Sequence, residues 1–216
     1  MALKVFGLTG GIGSGKSEVA KRLLERGLPV VNADQLARLA VVPGSPGLAE
    51  IAGAFGSEVV TATGELDRAR LAQRVFSDES ARRALDAIVH PIVRQLAAEH
   101  FQAIAARGEP LACYEVPLLY EGGLERTLSP VVVVNSPTAL IRARLKARDG
   151  YTEAQIGARI AAQMPLDEKV RRADYVLQND GTLAQLRERT DAVFDALCVA
   201  VGVTLARYAR PSAALS

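Results

Sequence analysis

Cysteine is scarce in this sequence, and so is any excess of charge of one sign. The two cysteines, Cys113 and Cys198, stand far apart without a CxxC spacing, which excludes a disulfide framework and a zinc knuckle. The 26 basic and 24 acidic residues leave a formal net charge of +2. Because nucleic acids and anionic membranes are bound by dense basic fields, this balance argues against both as partners, and any anion site has to be local.

Long hydrophobic runs are also missing. No stretch approaches the roughly 18 uninterrupted apolar residues of a membrane span. The chain also runs from Lys4 into a glycine-rich loop without the layout of a signal peptide. Cysteines without a pairing pattern suit a reducing compartment. We therefore expect a cytoplasmic protein, for which no protein partner can be inferred.

Short apolar runs separated by helical stretches indicate an α/β fold. Strands that are buried on both faces of a parallel sheet are nearly continuous apolar runs. Such runs occur at 3–8, 28–31, 111–116, 131–135 and 175–177. The sequence thus predicts a three-layer fold with a parallel five-stranded sheet.

Residues 34–107 contain no clear strand, which is far more chain than one βαβ crossover requires. Helical patterning at 49–55, 68–76 and 79–106 predicts a helical insertion. His90 and Pro91 interrupt its last stretch, so we expect a helix to restart there with His90 near its cap. Further helices are predicted at 17–26, 142–148, 153–164 and 183–201, with a frayed end after Arg207.

We interpret the chain, 1–216, as a single domain with three parts. A core with the sheet and the glycine-rich loop comprises 1–33, 108–140 and 173–205. The helical insertion, 34–107, is expected to shape a substrate pocket, and residues 141–172 are expected to form a helical lid.

The strongest motif fits G-x-x-x-x-G-K-[ST] and lies between a strand and a helix, where a phosphate loop belongs. Glycines let successive N–H groups point at one phosphate, and the following helix adds its positive end. Lys16 supplies a mobile cation, and Ser17 would bind Mg²⁺ through its hydroxyl. The expected ligand is ATP or a related triphosphate. The residues assigned to it are Gly11, Ile12, Gly13, Ser14, Gly15, Lys16 and Ser17.

Several classes of phosphate-loop protein are disfavoured by missing motifs. The sequence has no N-K-x-D element of a guanine-nucleotide switch, no obvious D-x-x-G segment and no L-S-G-G-Q signature of a transport ATPase. These absences favour a small-molecule kinase.

Asp34 follows the second predicted strand, at the sheet edge where ligands of open α/β folds bind. Its carboxylate can accept the proton of an attacking hydroxyl. The alternative is that Asp34 caps a helix beginning at Gln35.

Arg144 and Arg148 lie four residues apart, on one face of a predicted helix, and Arg159 follows across a turn. Their guanidinium groups can stabilise the charge of a phosphoryl group in transfer, or they can be solvated helix charges. Glu115 precedes Pro117 at a strand end and is either a carboxylate near a metal or a strand-end charge.

Taken together, these motifs closely resemble the dephospho-coenzyme A kinase family over nearly the whole chain. The matching segments are L-T-G-G-I-G-S-G-K-S at 8–17, A-D-x-x-A-R at 33–38, G-x-L-D-R at 64–68, H-P-I-V-R at 90–94, V-P-L-L-Y-E at 116–121, R-L-x-x-R-D at 144–149 and A-D-Y-V-L-x-N-x-G at 173–181. Each later segment is weak alone, and their joint order is specific. Family members often have Asp where Asn32 stands and Phe where Tyr120 stands, so residue 32 supplies no second carboxylate here.

The resemblance implies transfer of the ATP γ-phosphate to the ribose 3′-hydroxyl of dephospho-coenzyme A, the last step of coenzyme A synthesis. It implies a catalytic base at Asp34, assisted by Lys16, Arg144 and Arg148, and an adenine site near Asn179 and Gly181. The implied acceptor residues are Asp34, Arg38, Arg68, His90, Arg94 and Leu118. A kinase for another alcohol and a regulatory module that binds nucleotide remain the alternatives.

Overall fold

A five-stranded parallel sheet carries the phosphate-loop motif in the computed structural model, which describes residues 2–76 and 78–211. The strands are β1 Lys4–Gly10, β2 Val30–Asn32, β3 Leu111–Glu115, β4 Val131–Asn135 and β5 Tyr175–Gln178. Their order is β2-β3-β1-β4-β5, and the central strand β1 pairs in parallel with β3 and β4. The predicted fold class is confirmed, although β1 runs two residues further than expected, into the motif itself.

The helices are α1 Lys16–Glu25, α2 Ala33–Leu39, α3 Pro46–Phe55, α4 Arg68–Phe76, α5 Glu79–Ala106, α6 Thr138–Asp149, α7 Glu153–Ala161, α8 Leu166–Arg171 and α9 Leu183–Ala200. Contacts divide the chain into two compact units. The sheet unit comprises the residues up to Val31 and those from Ile104 onward, and the helical unit is Asn32–Ala103. In the described part of the chain, no helix is both long and apolar enough to cross a membrane.

One face of the sheet packs against α1 and α9. Alternate strand residues such as Phe6, Leu8 and Val134 are buried with Leu23 and Phe194 of these helices. This apolar face fixes the register of β1, and hence the point where the phosphate loop leaves the sheet.

The other face of the sheet is closely packed at Gly7. A Cβ atom at this position would lie 2.5 Å from Cδ1 of Leu119, so Leu119 occupies the space of a missing side chain. Helix α8 packs against β4 of this unit. The predicted helix at 153–164 is shorter than expected: α7 ends at Ala161 and α8 follows. Pro165 explains the break, because it disfavours helical geometry at the residue before it.

Within the helical unit, α5 is continuous through Pro91. The predicted restart at His90 is therefore wrong. Proline removes one backbone hydrogen bond, but apolar residues on both sides of it, including Leu85, Ile88 and Leu96, pack against the core of this unit. This packing holds the helix together across the proline. Helix α3 begins three residues before the predicted start, because Ser45 caps it and Pro46 opens its first turn.

Candidate nucleotide-binding site

The phosphate loop joins the end of β1 to the start of α1 and is closely packed at two glycines. A Cβ atom at Gly10 would lie 2.6 Å from the carbonyl oxygen of Val134 and 2.7 Å from Oγ of Ser14. Gly15 has φ +100°, and a Cβ atom there would lie 2.2 Å from Nδ2 of Asn179. Side chains at either position would therefore force the loop open.

Helix α1 begins without a side-chain cap among the described residues. Its N-cap is Gly15, in the left-handed conformation. The positive end of the helix thus favours an anion at this point of the loop. Nζ of Lys16 donates to the carbonyl oxygens of Gly10 and Gly11 at 2.9 and 3.0 Å, so the ammonium group is held across the loop.

Asn179, which is predicted to lie near the nucleotide, hydrogen-bonds to the main chain of the phosphate loop. Its buried side chain donates from Nδ2 to the carbonyl oxygen of Ser14 at 2.7 Å. Gly181 follows β5, and a Cβ atom there would lie 2.1 Å from Oε1 of Gln185, whose side chain belongs to the capping box of α9. The adenine contact assigned to Asn179 and Gly181 stays a prediction.

Arg144 also supports the loop. Its guanidinium group donates to Oγ of Ser136 at 3.0 Å, to Oδ1 of Asn179 at 3.2 Å and to the carbonyl oxygen of Gly13 at 3.5 Å. A planar guanidinium suits this role because it can donate several hydrogen bonds in fixed directions. The structure therefore brings Arg144, Asn179 and the phosphate loop together.

Arg148 and Arg159 make different contacts. Arg148 donates to its neighbour Asp149 at 2.8 and 2.9 Å, and two thirds of its side chain is exposed. The hydrogen bonds from Arg148 lower the pKa of Asp149. Arg159 lies over the ring of Tyr151, 4.2 Å from its centroid. That Arg148 and Arg159 stabilise the charge of a phosphoryl group in transfer stays a prediction.

The role of Asp34 is clarified by the start of α2. The side chain of Asn32, not that of Asp34, caps this helix by accepting a hydrogen bond from the amide of Gln35 at 2.9 Å. Asp34 lies in the first turn with an exposed side chain. The alternative in which Asp34 is the helix cap is therefore wrong.

The remaining acceptor residues are exposed. Within the helical unit, His90 and Arg94 are one turn apart on α5, and Nε2 of His90 lies 3.6 Å from the Asp86 carboxylate. The other predicted acceptor residues are Arg38 at the end of α2, Arg68 at the start of α4, and Leu118 in the sheet unit, which is 47% exposed. Their contact with an acceptor is untested.

The residues around the motif fit a magnesium ion that is carried by phosphate groups. Among residues 2–76 and 78–211 there is no cluster of three or more His, Cys, Asp or Glu side chains that could hold a metal. Mg²⁺ usually keeps several water ligands and takes one or two from the protein beside phosphate oxygens. The exposed hydroxyl of Ser17 meets this need in the first turn of α1. Glu115 is buried at the end of β3, in register with Leu8.

Two contacts near the loop were not predicted. Oε1 of Gln163 accepts a hydrogen bond from the amide of Ile12 at 2.8 Å. The fully buried Lys169 pairs with Glu121 at 2.8 Å. A lysine on a helix normally indicates a solvated face, and a glutamine between two helices carries no signal of its own.

Comparison with known proteins agrees with this geometry. The dephospho-CoA kinase (CoaE) family model matches residues 4–185. A dephospho-CoA kinase of Anaeromyxobacter dehalogenans is 53% identical over 189 residues, which cover 88% of this chain and 90% of that protein.

Solved structures are similar as well. The crystal structure of TT1252 from Thermus thermophilus has a TM-score of 0.80 and 39% identity, and the match covers 91% of this chain and 99% of that one. The dephospho-CoA kinase from Campylobacter jejuni has a TM-score of 0.69 and 25% identity, with 92% and 98% coverage. By its sequence, its fold and its phosphate loop, this chain belongs to the dephospho-CoA kinase family.

Proposed function

We propose that the protein transfers the γ-phosphate of ATP to the ribose 3′-hydroxyl of dephospho-CoA, which yields coenzyme A and ADP. The observation that carries this proposal is the phosphate loop at the uncapped start of α1, with Lys16 held across it, in a chain of the dephospho-CoA kinase family. The reaction is the final step of coenzyme A synthesis.

The loop binds the polyphosphate through backbone amides and the positive end of α1. Lys16 adds a cation that can leave the two carbonyl oxygens it contacts and bind phosphate oxygens instead. The 3′-hydroxyl oxygen attacks the γ-phosphorus, and the bond from that phosphorus to the oxygen bridging to the β-phosphate breaks. ADP is the leaving group. When bound, Mg²⁺ neutralises phosphate charge, and Ser17 is the residue that would hold it.

Asp34 is the proposed base. Its carboxylate orients the 3′-hydroxyl and takes the proton that this group loses. Support comes from its exposed position in the first turn of α2, where Asn32 rather than Asp34 accepts the hydrogen bond from the Gln35 amide. Arg148 is proposed to contribute charge stabilisation in the transition state, and Arg38, Arg68, His90, Arg94 and Leu118 are proposed to bind the acceptor.

The experiment is an assay of ADP release with and without dephospho-CoA. We expect release that depends on the acceptor, and a phosphorylated product at the 3′ position. Release without an acceptor would favour a regulatory ATPase, and a preference for another alcohol would favour a different kinase. Asp34→Ala should keep ATP affinity within about twofold and lower kcat by about 10²-fold or more. An unchanged kcat would remove Asp34 from the role of base.

We further propose that the protein works in the cytoplasm, on its two small-molecule substrates. In support, Cys113 and Cys198 are free thiols, as a reducing compartment favours.

A further inference from the structure

Ile12 is contacted, through both its main chain and its side chain, by the segment that connects β4 to β5. Its amide donates to Oε1 of Gln163, which lies 151 positions further along the chain. Its side chain packs against the buried cluster of Ile141, Leu145 and Ile156. One residue of the phosphate loop is thus fixed from two directions by α6, α7 and the segment after them.

Gln163 itself lies on a segment that is firmly anchored. Residues 162–165 connect α7 to α8, and the amide of Met164 donates to Oε1 of Glu121 at 2.8 Å. The Glu121 carboxylate in turn pairs with the buried Lys169 on α8. The main chain next to Gln163 is therefore tied by a hydrogen bond to Glu121, and through Glu121 to Lys169 of α8.

The same anchor reaches the end of β1. Nζ of Lys169 donates to the carbonyl oxygen of Pro117 at 2.9 Å, and Oγ1 of Thr9 donates to that same oxygen at 3.2 Å. Thr9 immediately precedes Gly10, where the loop begins. A network of hydrogen bonds therefore joins the base of the loop to the segment that carries Gln163.

We propose that Gln163 is a positioning residue for the phosphate loop. It fixes the plane of the peptide before Ile12, so that the amides that follow in the loop are already oriented when ATP arrives. A preorganised loop loses less conformational entropy on binding, which favours nucleotide affinity. Gln163 acts through Ile12. This role rests on the proposed function in one respect, which is that ATP is the nucleotide bound by the loop.

The test compares Gln163→Met with the wild-type protein. Methionine matches glutamine in length and lacks the strong acceptor, so packing is retained while the hydrogen bond is lost. We expect the dissociation constant for ATP, measured without acceptor, to rise about five- to tenfold, the effect of one hydrogen bond. The KM for dephospho-CoA should stay within twofold. Gln102→Met, on the exposed surface of α5, is the matched control and should leave both constants unchanged.

Hydrogen exchange at the Ile12 amide provides a readout that requires no catalysis. In the wild-type protein we expect this amide to be protected, and in Gln163→Met its exchange should accelerate about tenfold or more. Gln163→Glu keeps an acceptor oxygen and should retain the protection.

An unprotected Ile12 amide in the wild-type protein would overturn the proposal, as would unchanged ATP affinity in Gln163→Met. A wild-type protein that binds ATP but does not phosphorylate dephospho-CoA would instead contradict the proposed function. The exchange and affinity measurements would still decide the role of Gln163.

Discussion

Asn179 and Ser14 are joined by a hydrogen bond of 2.7 Å, from the side-chain amide at the end of β5 to a main-chain carbonyl of the phosphate loop. Both groups are buried. The shape of the loop therefore depends on a side chain that lies 165 positions away.

Replacing this amide should affect both stability and nucleotide affinity. Asn179→Ala leaves the buried carbonyl of Ser14 without its partner, so we expect a loss of about 1–3 kcal/mol in the free energy of unfolding. ATP affinity should fall about tenfold, because the loop carbonyl is free to rotate. Asn135→Ala removes an exposed amide hydrogen bond to Gln178 and serves as the control, with a loss below about 0.5 kcal/mol. Equal urea denaturation midpoints for Asn179→Ala and Asn135→Ala would contradict the role of Asn179 in supporting the loop.

Arg144 and Arg148 should separate in their effects. Arg144→Lys removes the guanidinium group that donates to both Ser136 and Asn179. Because these hydrogen bonds support the phosphate loop, ATP affinity measured without acceptor should fall about tenfold. Arg148→Ala removes only an exposed pair with Asp149, so the melting temperature should shift by no more than about 3 °C.

The proposed transition-state role of Arg148 predicts a lower kcat for this variant at unchanged ATP affinity. Thermal unfolding, calorimetry with ATP and steady-state kinetics measure the three quantities. A larger loss of ATP affinity in Arg148→Ala than in Arg144→Lys would reverse these assignments.

The pair of Glu121 and Lys169 should respond asymmetrically to substitution. Glu121→Ala leaves a fully buried ammonium group with the carbonyl of Pro117, and we expect a loss of about 3–5 kcal/mol. Lys169→Met leaves a carboxylate that is 24% exposed and can be hydrated, so its loss should be smaller. The double variant should be more stable than Glu121→Ala alone. Urea denaturation of the three proteins measures these differences, and the reverse order of the single variants would show that burial of Lys169 is not the dominant cost.

The free energy of unfolding should decrease as the pH falls below about 5, and Asp195 should contribute to this decrease. Burial by itself raises the pKa of Asp195, but hydrogen bonds from Arg26 and Arg210 outweigh it, and the pKa lies below its usual value of 3.8. The unfolded chain therefore takes up a proton that the folded chain resists. The contribution of Asp195 is complete above the unfolded value and is lost as the pH falls from about 5 toward the folded pKa.

Asp195→Asn should make the free energy of unfolding less dependent on pH between about 5 and 3. Chemical denaturation at a series of pH values measures this slope. A slope equal to that of the wild-type protein would mean that the pKa of Asp195 is not lowered by its arginine partners.

The parts of the structure that the sequence predicts well are those that depend on local pattern. The apolar run before Gly10, the motif that ends at Ser17 and the helix after it form a continuous segment, so spacing alone identifies the phosphate loop. The helix from Glu79 to Ala106 is also predicted with its bounds, because its apolar periodicity persists on both sides of Pro91. Pro91 leads to the wrong prediction of a helix restart. The sequence shows the backbone hydrogen bond that a proline removes, but it does not show the tertiary packing that compensates for this loss.

The support of the loop was beyond prediction for a physical reason. Asn179 and Gln163 reach the loop over separations of 165 and 151 positions, and no local periodicity reports such contacts. For Arg144 the sequence pattern leaves a phosphate contact and a solvated helix charge open, because guanidinium donors that suit phosphate also suit the hydroxyl and amide oxygens that Arg144 contacts. The capping of α2 by Asn32 is a feature that the sequence could have predicted, because an asparagine before a helix is a recognised cap.

The tight contact at Gly7 links the interior of the sheet to nucleotide binding. Leu119 fills the space above this glycine, on the same short segment that offers the Pro117 carbonyl to Lys169 and the Glu121 side chain to Met164. An added methyl group at residue 7 would press on the terminal methyl group of Leu119, whose fully buried side chain has little room to move. A mid-strand position that no nucleotide atom needs to touch thus contacts the segment whose hydrogen bonds lead to the phosphate loop.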